Sequence, residues 1–383
     1  MFESCLKEIQ SLYHILPSKN PSLKTWKASG KKALGYICIN FPEELLFAAG
    51  VLPIRLLGSP VDLKEAAKHH STHMCYFGRS CLELALRGEY EDLDGVLTSY
   101  GCDGMCPLFQ VMTEVVSFSF HEFLYHPHLP EADGAGDFLR QEYAYLAEKI
   151  ENLGEKIDSE AIRRAILIYN QNRRLMHRIY DLRGLPPQPC IKGVETQQLA
   201  LASQCLPKDL LNPMLAKLIT AAIDRTPKPS LPEFRLHISG SLLPDPDIYH
   251  IIEKLGGDVV SDDLCTGSRY FWDLVNEDED CLESLVNHQL NRVPCSSQCS
   301  ENVPQDRVAH ILALSKRYGV DGVIFCTYQW CDTHQTDLPI MVRLLENSGI
   351  PVLCLDVERR LGGAQIETRL EAFREILVAR DRS

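Results

Sequence analysis

One local pattern occurs in each half of this chain. Asp-Gly-Val opens an apolar run at Asp94 and again at Asp321, and each run leads into a Cys-Asp dipeptide, Cys102–Asp103 and Cys331–Asp332. Both copies read as a strand, a loop and a helix. A strand that feeds a helix and is followed by another strand builds a parallel sheet, because only a crossover returns the chain in the same direction. The tripeptide alone is chance. Its matching place in two such units points to internal duplication, and so to two related α/β lobes.

The rest of the chain agrees with that plan. Residues 1–30 read as one amphipathic helix and a Pro/Ser/Lys loop. GYICIN and VLPIRLLG are apolar strand runs around PEELLFAAG, a helix opened by Pro42 and closed by Gly50 with acids in its first turn. RSCLELALRGEY is the next helix, DGVLTSYGCD a strand, CPLFQVMTEVV a helix, and FHEFLYHPHLP a short strand. Residues 136–183 then repeat apolar positions at helical spacing, with Ser159 as an expected N-cap and Gly184, Pro186 and Pro187 as a stop. The proline-rich RTPKPSLPE (225–233) reads as a linker, and strands alternate with helices again from FRLHISGS to a closing helix over TRLEAFREILVA. The expected fold is α/β: two Rossmann-like (flavodoxin-like) parallel-sheet domains facing a central cleft, with a helical insertion or bridge. The expected boundaries are 1–30, 31–135, 136–232 and 233–383.

Fifteen cysteines are present, and none forms a C-x-x-C pair. Cys38, Cys75, Cys102, Cys265, Cys295 and Cys331 stand where expected elements meet loops. Ligands in open α/β sheets bind beyond the carboxyl ends of strands. Facing lobes therefore bring such loops to one cleft, where scattered thiols suit a metal–sulfur cluster. Cys5, Cys190, Cys205, Cys281 and Cys354 lie in apolar or helical surroundings and read as packing. The spacings Cys102–Cys106, Cys295–Cys299 and Cys326–Cys331 keep a zinc site open. A cysteine nucleophile with His73 or His334 beside it is a further alternative.

A net charge of −13 speaks against a nucleic-acid partner. The N-terminus lacks a secretory signal, and no run approaches a membrane span, so the expectation is a cytoplasmic protein with reduced thiols. There is no P-loop, G-x-G-x-x-G, G-x-S-x-G or H-E-x-x-H. The chain carries no recognisable ATP site.

Several separated segments carry a resemblance: GYICINFPEELLFAAGVLPIRL, CYFGRSCLELALRGEYEDLDGVLTSYGCDGM, DDLCTGSRYF, RVPCSS, YGVDGVIFCTYQWCD and IPVLCLDVERRLGGAQIETRLEAFREIL. In this order they resemble the 2-hydroxyacyl-CoA dehydratase D-component family, which includes benzoyl-CoA reductase subunits. The resemblance spans about residues 33–378. It implies that Cys75, Cys102 and Cys331 hold a [4Fe–4S] cluster. Cys38, Cys265 and Cys295 match the further ligands of the double-cubane cluster proteins, whose cofactor is an [8Fe–9S] cluster. Cys299 is the alternative to Cys295.

The resemblance further implies a reductase fed low-potential electrons by an ATP-hydrolysing [4Fe–4S] activator. Such a protein is a homodimer acting on a small molecule. The alternatives are a dehydratase subunit, paired with a homologous subunit, that acts on a 2-hydroxyacyl-CoA through a ketyl radical, and a non-enzymatic electron carrier. Glu43 and Arg269 are the candidate catalytic residues. Glu44, Asp103, Asp332, Tyr270, Gln329 and Trp330 lie near the same loops.

Overall fold

In a computed structural model the chain builds two four-stranded sheets, each parallel throughout. Residues 1–185, 190–225, 232–297, 300, 302–359 and 363–381 are described. Most of the expected linker, the prolines after Gly184, and Cys299 lie outside them.

The helices α1 (Phe2–Leu12) and α2 (Pro21–Ala28) come first. The first sheet follows as β1 (Ala33–Ile37), α3 (Glu43–Ala48), β2 (Leu52–Arg55), α4 (Tyr76–Leu86), β3 (Gly95–Ser99), α5 (Met105–Val115) and β4 (His121–Leu124). Four helices intervene: α6 (Ala135–Glu151), α7 (Ser159–Gly184), α8 (Gly193–Cys205) and α9 (Lys208–Ile223). The second sheet is β5 (Phe234–Gly240), α10 (Asp247–Lys254), β6 (Gly257–Asp262), α11 (Ser268–Phe271), α12 (Cys281–Asn291), α13 (Val303–Tyr318), β7 (Gly322–Tyr328), α14 (Asp332–Asn347) and β8 (Val352–Val357), closed by α15 (Ala364–Asp381).

Strand order is β2-β1-β3-β4 in one sheet and β6-β5-β7-β8 in the other. By position in the chain both orders are second, first, third, fourth. The duplicated plan is therefore topological as well as local. Strands β1, β2, β3, β6 and β7 are buried along their whole length, as expected where helices cover both faces of a parallel sheet.

One apolar core takes Ile37, Leu56 and Val96 from the first lobe and Leu236, Ile238 and Ile324 from the second. The lobes thus share an interior, and their strand ends meet. The other face of the first sheet, with Leu34, Tyr36 and Leu97, packs on Leu139, Tyr143, Ile162 and Leu285 from α6, α7 and α12. The helices α1, α7, α8 and α9 form their own core around Met176, Leu199 and Leu215.

Three local readings need correction. Asp158, not Ser159, caps α7: its Oδ1 accepts from the Ala161 N–H at 2.8 Å. The segment LPIMVRLLENSG (338–349) reads in the sequence as a helix, but that helix begins at Asp332 and runs through Pro339. The end of β7 and the turn at Cys331 set that start, so local composition does not show it. A helix over Cys281–Asn291, absent from the sequence reading, packs on α6 and α7. Among the described residues no helix is long and apolar enough to cross a membrane.

Candidate functional site

The cleft between the lobes has about 600 Å³ of space including its mouth, and Cys38, Cys75, Cys102, Cys265, Cys295 and Cys331 all line it. They come from six different loops. Cys38 follows β1 directly and takes φ +76°, a left-handed conformation unusual for a non-glycine residue. Such a conformation costs on the order of 1–3 kcal/mol and persists only where the surroundings impose it. Trp330, next to Cys331, is the other non-glycine residue with positive φ among the described residues. Cys38 lines the cleft itself, and Trp330 immediately precedes Cys331, which does.

The thiols fall into two sets with different support. Cys75 and Cys331 occupy the N-cap positions of α4 and α14, and Cys102 lies two residues before the N-cap of α5. Each accepts a backbone N–H from the turn it starts: Cys75 from Gly78, Cys102 from Gly104, Cys331 from His334. Three helix N-termini therefore point partial positive charge at one region. Burial still pushes the Cys75 thiol up to about 12, with Cys331 adding to the rise. Burial raises Cys102 as well, followed by the influence of Cys75 and Cys331. Three thiols so placed repel one another as thiolates unless a cationic core lies between them.

The other set is Cys38, Cys265 and Cys295, and it lies among full positive charges. Cys265 and Cys295 share a hydrogen bond that raises the first and lowers the second. Arg269 places Nη1 3.1 Å from Cys265 Sγ and 3.9 Å from Cys295 Sγ. Its other nitrogen, Nη2, binds Gly240 O at 3.2 Å and Asp263 Oδ2 at 3.0 Å. Burial opposes a charge on Asp263, but Arg269, His237 and Arg307 outweigh it and hold the carboxyl well below its ordinary value. Arg292 binds Ile39 O at 2.9 Å and Arg269 O at 2.5 Å, tying the residue after Cys38 to the arginine behind Cys265. Arg55, fully buried at the end of β2, lines the cleft, where Cys265 and Cys38 act on its charge. His334 also lines the cleft; burial, then Arg307 and Arg269, hold it neutral, with its pKa down to about 3.

Neither Glu43 nor Arg269 lines the thiol cleft itself. Arg269 stands behind Cys265 and Cys295. Glu43 and Glu44, in the first turn of α3, are buried rather than solvated and line a second chamber of about 500 Å³. The Glu43 carboxylate accepts from Tyr36 Oη and from Tyr270 Oη at 2.9 Å, with Lys208 Nζ 3.6 Å away. Burial lowers the pKa of Lys208 and Glu43 opposes this. Glu44 pairs with Arg173 at 2.6 Å. Ile39 and Arg292 border this chamber and connect it to the cysteine loops.

Among the nearby residues, Asp103 accepts from Tyr100 Oη at 2.6 Å, and Asp332 is the first residue of α14. Trp330 is half exposed and meets His73 edge-on at 4.9 Å between ring centroids. Cys5, Cys205 and Cys281 are buried in apolar cores. Sequence reasoning missed Arg55, Arg292 and Lys208. A clue existed for the first: Arg55 interrupts the apolar run VLPIRLLG.

Among the described residues no three His, Cys, Asp or Glu side chains converge closely enough to hold a single metal ion. Six thiols spread around one largely apolar cleft, backed by helix N-termini and arginines, fit a polynuclear metal–sulfur group instead. The fold and site together define a two-lobed α/β protein with a thiol-lined cleft. The chain belongs to the family described as 2-hydroxyglutaryl-CoA dehydratase, D-component, whose model matches residues 38–377. It is 27% identical to the lactoyl-CoA dehydratase subunit beta of Anaerotignum propionicum over 96% of this chain and 98% of the relative. It is 26% identical to the (R)-phenyllactyl-CoA dehydratase beta subunit of Clostridium sporogenes, over 93% of this chain and 94% of the relative. A benzoyl-CoA reductase subunit of Thauera aromatica matches at 25% over 89% of this chain and 90% of the relative. The chain is thus an enzyme of the dehydratase and reductase kind.

Proposed function

We propose that this chain is the iron–sulfur component of a reductase, in which all six cleft cysteines hold an [8Fe–9S] double cubane. In this reading Cys75, Cys102 and Cys331 hold one half and Cys38, Cys265 and Cys295 the other. The observation that carries it is the single cleft lined by all six thiols. When bound, the cluster supplies low-potential single electrons to a small substrate. The chain's own residues do the remainder. The helix N-termini and arginines offset thiolate charge, and the apolar side chains Phe77, Met105 and Leu242 keep water from the cleft. Lys208 stands over the Glu43 carboxylate in the chamber behind Cys38, with Tyr36 and Tyr270 donating to that carboxylate and orienting it.

The electrons come from an ATP-hydrolysing activator, since this chain lacks a nucleotide motif. The same reading takes 31–135 and 233–383 as the lobes, 136–232 as the helical bridge, and the working form as a cytoplasmic homodimer. A second reading follows from the relatives, two of which are beta subunits of CoA-ester dehydratases. In it the chain holds one [4Fe–4S] cluster on Cys75, Cys102 and Cys331 and pairs with a homologous subunit. Iron and sulfide counting after anaerobic purification separates the two. About eight irons per chain supports the double cubane, and about four supports the dehydratase subunit.

A further inference from the structure

The two thiol sets differ in the kind of positive charge that faces them. Around Cys75, Cys102 and Cys331 it is partial charge, from the first turns of α4, α5 and α14. Around Cys38, Cys265 and Cys295 it is formal charge. Arg269 touches Cys265 Sγ at 3.1 Å, Arg55 lines the cleft, and Arg292 holds the Ile39 carbonyl and the Arg269 carbonyl. Burial marks two of the arginine-side thiols: Cys265 and Cys295 are buried, whereas Cys38, Cys75, Cys102 and Cys331 are partly accessible. A full charge a few ångströms from a buried sulfur ligand stabilises added negative charge more than a helix terminus does.

The guanidiniums are also locked in place. Asp263 binds Arg269 and Arg307, and Arg307 reaches Asp337 at 3.3 Å. His237 closes the far side of Asp263 at 3.4 Å. Arg55 Nε and Arg269 Nε, both buried, have no hydrogen-bond partner. Each thus retains donor capacity beyond its protein contacts.

We propose that these arginines divide the site into two ends with different tasks. The Cys38/Cys265/Cys295 end is where an added electron is held. The Cys75/Cys102/Cys331 end, where helix dipoles face the thiols and Arg79 alone adds a formal charge on Cys75, is the end that passes it on. This rests on the double-cubane reading above. A one-electron donor is oxidised by one electron, and the bound group gains one negative charge. The guanidinium charges are already present, so no proton has to accompany the electron. Arg269, Arg55 and Arg292 are positioning residues in this scheme: they set a potential and bind no substrate.

The test uses the full chain purified anaerobically with its cluster. Iron and sulfide are counted, and EPR-monitored redox titrations are run on wild type, Arg55→Gln, Arg269→Gln, Arg269→Lys and Arg79→Gln. Arg79 is the control, because its charge acts on Cys75 at the other end. With iron and sulfide unchanged, the first midpoint of Arg55→Gln and Arg269→Gln moves to more negative potential. The shift exceeds that of Arg79→Gln, and Arg269→Lys lies nearer wild type. Arg269→Gln leaves Asp263 short of a partner and can fail to fold. Arg55→Gln strands no buried carboxylate and then carries the test alone. Wild-type midpoints in the glutamine variants at full iron content overturn the proposal. So does a larger shift in Arg79→Gln. About four irons per chain in wild type instead overturns the underlying reading, and with it the existence of two ends.

Discussion

A Cβ placed on Gly101 would stand 2.8 Å from Cys38 Sγ and 3.5 Å from Cys38 Cβ. Gly101 closes the strand β3 side of the cleft, and Cys38 already carries a left-handed backbone next to it. The thiol has no slack on that side, so Gly101→Ala forces it out of its position. Overpacking of this kind costs about 1–3 kcal/mol. The expected variant is folded but binds less iron than wild type, as read by iron counting beside circular dichroism. Full iron content would show that Cys38 needs no fixed position.

Cys102→Ala and Cys331→Ala each remove a thiol from the set at the three helix N-termini. Both are expected to lower iron and sulfide per chain. Cys190 lies outside the cleft, with its backbone N–H on Leu182 O and its carbonyl held by Arg225. Cys190→Ala is therefore expected to keep wild-type iron. Equal iron in all three variants would strike Cys102 and Cys331 from the ligands. Alanine variants of Cys38, Cys265 and Cys295 extend the test: a drop of about half the iron, not all of it, is expected if they hold a separate cubane.

The ion pair Glu44–Arg173 ties α3 of the first lobe to α7 of the helical segment at 2.6 Å, with both side chains largely buried. Removing one partner from such a pair leaves an uncompensated charge and costs about 3–5 kcal/mol. Glu44→Gln is expected to lower the urea midpoint accordingly. Replacing both partners with apolar residues of similar size costs less than the single change. Were the single and double variants equally stable to wild type, the contact would not anchor the helices.

The lobes were legible in the sequence because a buried parallel strand announces itself. GYICIN, DGVLTSY and VDGVIFCTY are apolar runs of strand length, each bounded by turn residues. The cysteines were legible as a set because they stood at the ends of those runs. What surrounds them was not. Arg292 reaches the carbonyl of Ile39, and Lys208 reaches Glu43, across gaps in sequence that only tertiary folding closes. The acids of α3 looked like an ordinary solvated first turn, since the rule that favours them there does not reveal that α7, α9 and α11 cover them. The start of α14 was hidden for a similar reason. LPIMVRLLENSG reads as a helix from Leu338, yet the geometry at Cys331 begins that helix more than a turn earlier, at Asp332.

His126 links the first lobe to solution pH. It follows β4, is almost fully buried, and its Nε2 has no hydrogen-bond partner. Burial lowers its pKa from the usual 6.5 to about 4, with backbone contacts to Pro127 and Tyr100 opposing. Between those two values the unfolded chain binds a proton that the folded chain refuses. Stability from this residue is thus fully present above about pH 6.5 and is lost as pH falls through about 4. At pH 5.5 the loss is about 1.4 kcal/mol, one unit below the unfolded value. Urea unfolding at pH 7 and pH 5.5 measures it, and His126→Leu is expected to show a smaller difference between the two conditions. An identical acid loss in His126→Leu and wild type would move the effect to other buried histidines, of which His288 is held neutral by burial and by Arg173 and Arg292.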